Sequence, residues 1–131
     1  MRGMLRGIGS VLLVGLLLGC GNQKEAIPIS SPYAKAMALR GQGQSLMLEV
    51  GASSCYACIE MKQLIDKLHQ ENPSHQIFVI NLNEEREVAK ILKIQVIPTQ
   101  IVYDASGEEV WRHVGGLGEL ELRELVQKYG I

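Results

Sequence analysis

Leu46-Met47-Leu48-Glu49-Val50 is a short apolar run, and almost at once Tyr56 to Gln70 takes up a helical pattern. In that second segment Cys58, Met61, Ile65 and Leu68 recur at spacings of three and four, the period of one helix face. A strand that turns directly into a helix with one apolar face must bury that face against a sheet, so a layered α/β architecture follows. Ile77 to Leu82, IFVINL, is apolar and β-branched enough for a buried central strand. Glu84 to Leu92 reads as a second helix. Thr99 to Tyr103 and Glu109 to His113 read as strands joined by a turn at Asp104-Ala105-Ser106-Gly107. Glu119 to Tyr129 closes the chain as a helix with Leu122, Leu125, Val126 and Tyr129 inward. Before the first strand, Ser31 and Pro32 supply an N-cap and a first-turn proline for a short helix over Tyr33 to Arg40, stopped by Gly41. The order predicts a mixed central sheet with helices on both faces, formed by residues 32–131.

The start of the chain has a different character. Met1 to Gly7 carries Arg2 and Arg6 and no acid, and Ile8 to Gly19 is apolar or small throughout. This is the pattern of a secretory signal peptide, and the run is shorter than the roughly 20 residues of a membrane-spanning helix. Gly9, Gly15 and Gly19 argue against a buried core helix. Leu17-Leu18-Gly19-Cys20 resembles a bacterial lipobox, which implies cleavage after residue 19 and diacylglycerol on Cys20. Residues 20–31 then form a polar, proline-containing tether. Several acyl chains make a stable anchor where one would be marginal. The expectation is a lipid-anchored protein on the periplasmic side of the cell envelope; the plainer alternative is a free or disulfide-bonded Cys20. With 13 basic and 14 acidic residues over the whole chain, no basic excess points to nucleic acid.

If Cys20 carries lipid, Cys55 and Cys58 remain of the three cysteines, in an oxidising compartment. A cysteine at a helix start meets unpaired amides and the helix dipole, both of which favour a thiolate. Cys58, one turn on, falls on the inward face. An exposed attacker backed by a shielded resolver is the arrangement thiol–disulfide exchange uses. The same spacing is half of a zinc site, but structural zinc takes four ligands. His69, His75 and His113, the only histidines, have no matching short spacing and read as surface or loop residues. Neither a metal nor a cofactor is expected.

Ile97-Pro98-Thr99 opens an apolar strand, a place where proline suits a strand start or a cis turn. An apolar strand, CYAC opening a helix, IPT about forty residues later, then a glycine-containing hairpin and Val114-Gly115-Gly116-Leu117 together resemble the thioredoxin family. The resemblance runs from about Leu46 to Tyr129 and implies a thioredoxin-like fold. It further implies Cys55 as nucleophile, Cys58 as resolving cysteine and Pro98 as a cis-proline packed against the disulfide. The backbone of Ile97 would pair with a substrate strand. Glu49 falls where thioredoxins bury an aspartate that handles the resolving thiol's proton; the alternative is an exposed glutamate on an edge strand. Ser54 stands where the family usually has tryptophan, Tyr56-Ala57 where it has Gly-Pro, and Asn81 where a lysine often neighbours the buried acid.

These features together lead to a membrane-tethered thiol–disulfide oxidoreductase acting on protein thiols or disulfides. Ala57 replaces the histidine that often sits beside the second cysteine of an oxidase, which tilts the direction toward reduction, with electrons drawn from a membrane protein. The alternative is a non-catalytic binding module of the same fold, with CYAC as a structural disulfide.

Overall fold

The computed structural model describes residues 26–131; the expected signal peptide, Cys20 and the first part of the tether lie outside the described residues. In chain order the elements are α1 (Pro32–Leu39), β1 (Leu46–Gly51), α2 (Tyr56–Glu71), β2 (Ile77–Asn81), α3 (Arg86–Ile91), β3 (Thr99–Tyr103), β4 (Glu109–Val114) and α4 (Glu119–Tyr129). The Ser31 side chain accepts the Ala34 amide at 3.1 Å and Pro32 occupies the first turn, so α1 begins where its capping residues dictate.

The four strands lie in the order β2-β1-β3-β4. β1 runs parallel to β2 and antiparallel to β3, and β3 is antiparallel to β4. A parallel step needs a crossover, which α2 provides. This corrects one expectation: Ile77–Asn81 is an edge strand of the sheet, not a central one. Its apolar sequence reflects cover on both faces rather than two neighbouring strands. Ile77 enters one core cluster and Ile80 the other. The central strands are β1 and β3, in which every residue is buried.

α3 is also shorter than the sequence pattern suggests. The Asn81 carbonyl accepts the amides of Glu84 (3.0 Å) and Glu85 (2.9 Å), which closes a turn on the end of β2. Those two residues are thereby taken out of the helix, which starts at Arg86.

Alternation along β1 divides the core in two. Met47 faces Met61, Ile65 and Leu68 of α2 and Leu122, Leu125 and Val126 of α4. Leu46, Leu48 and Val50 face Ala36 of α1 and Val88 of α3, together with Ile101 and Tyr103. Helices thus cover both faces of the sheet. Two of the three histidines serve the framework. His69 Nε2 pairs with the His75 carbonyl at 3.1 Å, and His75 Nδ1 with the carbonyl of Ile131 at 2.7 Å, which fastens the chain end.

Candidate redox site

β1 ends at Gly51, and Ala52 to Ser54 make the turn into α2; the Cys55 amide donates to the Ala52 carbonyl at 3.2 Å. Cys55 is the N-cap of α2, with extended backbone, and its Sγ accepts the Cys58 amide at 3.3 Å. A sulfur in that position sits among the amides that α2 leaves unpaired. Cys55 is half-exposed, whereas Cys58, one turn along, is 6% exposed. The two are joined as a disulfide with their Cα atoms 5.2 Å apart. Tyr56, between them, is 76% exposed.

Gly51 is a site residue that sequence reasoning passed over. A Cβ added there would lie 2.8 Å from both Cβ and Sγ of Cys58, closer than carbon and sulfur tolerate. The strand can therefore approach the resolving cysteine only with glycine at its end. Gly51→Ala should lower the urea unfolding free energy of the oxidised protein by about 1–3 kcal/mol, the usual effect of overpacking. An unchanged denaturation midpoint would show that α2 can move away freely. The available signal was the single glycine closing an apolar strand just ahead of CYAC.

The Ile97–Pro98 bond is cis. The Pro98 carbonyl accepts the Gly115 amide at 2.8 Å, and Thr99 Oγ1 donates to the Val96 carbonyl at 2.6 Å, so the loop is pinned on both sides. Gly115 has φ +106°, a conformation that disfavours any side chain. Ile97 itself is half-buried and makes no backbone hydrogen bond among the described residues.

Glu49 lies on central β1, 1% exposed, in register with Val79 on one side and Gln100 on the other. Among the described residues neither carboxyl oxygen has a hydrogen-bond partner. Burial pushes its pKa up to about 8, with the neighbouring Gln100 amide acting in the opposite direction. Desolvation is the larger of the two effects. A cavity of about 300 Å³ is lined by Glu49 and Cys58 and by the rim residues Ser53, Lys62, Asn81 and Glu84. It brings the buried acid and the buried sulfur to one space. The Asn81 side chain donates to Glu84 Oε1 at 3.2 Å. Among the described residues no three His, Cys, Asp or Glu side chains converge as a metal site would require.

Fold and site together define an α/β domain with a CxxC disulfide at a helix start and a cis-proline loop ahead of a central strand. The family profile described as a thioredoxin-like domain matches residues 33–130, most of the chain. The chain belongs to the thioredoxin-like family, and its architecture is the thioredoxin-like α/β fold. Among solved structures, a Fasciola hepatica thioredoxin superposes with a TM-score of 0.59 at 22% identity, covering 68% of this chain and 84% of the other. A chloroplastic thioredoxin z reaches a TM-score of 0.64 at 20% identity, covering 76% and 90%. The oxidised form of a mitochondrial thioredoxin from Saccharomyces cerevisiae reaches 0.60 at 20% identity, covering 73% and 89%. Comparison with curated protein sequences finds no match. At such identities the structural likenesses speak for the fold. The bonded Cys55–Cys58 pair within that fold points to redox or disulfide chemistry.

Proposed function

We propose that this protein is a membrane-tethered thiol–disulfide oxidoreductase of the cell envelope that works as a reductase of protein disulfides. The observation that carries the reading is the asymmetry of the pair. Cys55 is half-exposed at an N-cap with an amide on its sulfur, while Cys58 is buried and lines the same cavity as the buried Glu49.

In the reducing direction the Cys55 thiolate attacks a substrate disulfide. A Cys55–substrate bond forms, the substrate's own S–S bond breaks, and its second sulfur leaves as a thiolate that takes a proton from solvent. Cys58 then attacks Cys55 Sγ, its thiol proton passing to Glu49 in the fraction of molecules in which that carboxyl is ionised, a fraction that grows as pH rises toward about 8. The Cys55–Cys58 bond forms and the remaining substrate sulfur leaves as a thiolate. Two electrons have passed from the pair to the substrate, and a membrane protein that supplies electrons restores the dithiol. Unpaired backbone at Ile97, beside cis-Pro98, offers an edge on which an extended substrate segment can pair. Exposed Tyr56 and Val96 give that segment an apolar surface. Ala57 beside Cys58 supports reduction rather than oxidation.

The test is turnover and poise. The full-length protein should catalyse reduction of a protein disulfide by dithiothreitol. An equilibrium potential of the Cys55–Cys58 pair below about −220 mV fits a reductase, and one near about −120 mV would reverse the direction. Loss of the disulfide without loss of partner binding, and no turnover in the wild type, would favour the binding-module reading instead. The tether is tested separately: mass spectrometry of the mature protein should find a diacylated Cys20 at its N-terminus. An unmodified Cys20 would remove the membrane from this account.

A further inference from the structure

Gln100 is an anomaly in its strand. It is 0% exposed in the middle of the sheet, flanked by Thr99 and Ile101, where an apolar side chain would bury without having to satisfy an amide. Its Nε2 donates to the Gly115 carbonyl at 2.9 Å, and its Oε1 has no partner among the described residues. A carboxamide nitrogen carries two hydrogens, and Gly115 uses one. Glu49 is directly opposite Gln100 on β1, so both side chains rise from the same face of the sheet. Glu49 in turn has no formed hydrogen bond among the described residues. The other charged or titratable side chains lining the cavity with Glu49 are Cys58 and Lys62 from α2 and Glu84 from the turn after β2. Beyond Gln100 on β4 stands His113, its register partner, stacked on Trp111 with ring centroids 5.7 Å apart.

We propose that Gln100 is the positioning residue of the buried acid: its carboxamide, anchored on the Gly115 carbonyl, directs its second Nε2 hydrogen at the Glu49 carboxylate and stabilises the ionised form. Gly115 also holds the Pro98 carbonyl through its amide, so one glycine ties the acid to the cis-proline loop. The proposal rests on Glu49 as proton acceptor for Cys58, and gives this chain a neutral donor to its acid. The electrostatics agree in direction, because the Gln100 amide pulls the Glu49 pKa down against the larger effect of burial.

The experiment is a ¹³C NMR titration of the Glu49 side-chain carboxyl in full-length protein held in detergent, assigned by its loss in Glu49→Gln. In Gln100→Leu, losing the donor and adding apolar surface both disfavour the carboxylate. Its titration should therefore rise by about one pH unit, about tenfold in the protonation constant. The acid limb of the turnover profile should move the same way. Gln100→Met, which keeps the length of the side chain, should do the same should Gln100→Leu fail to fold. His113→Asn should leave the Glu49 titration in place. A Glu49 titration identical in wild type and Gln100 variants, with turnover intact, overturns the proposal, as does an equal change in His113→Asn. A displaced Glu49 titration in a protein without any turnover would uphold the pairing and sink the oxidoreductase reading instead.

Discussion

Serine at Cys58 should leave Cys55 covalently attached to its substrates. With the resolver gone, the mixed disulfide at the N-cap of α2 has no internal sulfur to displace it, so partners should accumulate as adducts separable under non-reducing conditions. Serine at Cys55 removes the half-exposed sulfur, and Cys58, at 6% exposure, should form few adducts or none. Turnover should fall by on the order of 10³-fold or more in either variant, since residues that act as a unit fail together. The trapped chains would also identify the substrates. Should both variants turn over a protein disulfide as fast as wild type, the paired-cysteine mechanism is wrong.

The second large effect is on stability. Burial raises the Glu49 pKa from 4.5 to about 8 in the folded protein. Between those two values the unfolded chain has lost the proton and the folded chain still holds it. Stability therefore falls as pH rises through that window and levels off above it, while below it Glu49 contributes no pH dependence. A tenfold difference in proton affinity between the folded and unfolded chain corresponds to about 1.4 kcal/mol, so the whole fall is on the order of a few kcal/mol. Glu49→Gln abolishes the ionisation and should flatten that part of the profile. In urea titrations at about pH 5 and about pH 9, the wild-type midpoint should drop more than that of Glu49→Gln. Parallel drops would mean that Glu49 ionises as easily folded as unfolded.

Much of this was legible in local pattern. The period along α2 placed Cys58, Met61, Ile65 and Leu68 on one buried face, and all four are buried there. Thr99–Tyr103 and Glu119–Tyr129 have the bounds their patterns indicate, because turn residues and glycines mark both ends. Where a tertiary bond competes with a local preference, the pattern misleads. Glu84 and Glu85 are sound helix formers, yet the Asn81 carbonyl holds both amides in a turn. The apolar run IFVIN could not distinguish a strand with two neighbours from an edge strand covered above and below, since both demand the same residues.

The site divides along the same line. Residue order alone put a cysteine at a helix start, a second one turn inward and a proline ahead of an apolar strand, because caps, helical period and proline's missing amide are properties of a few neighbouring residues. Nothing local could show how deeply Glu49 is buried, or that Gln100 lies opposite it. A glutamate between two apolar residues suits an exposed edge as well as a core. Cross-strand register chose between them: β3 came to lie on the far side of β1, which made β1 central, closed Glu49 beneath α2 and set Gln100 beside it. Gly51 was decided in the same way. Its need for a missing side chain exists only once α2 has folded back over the end of its own strand and brought Cys58 within contact of it.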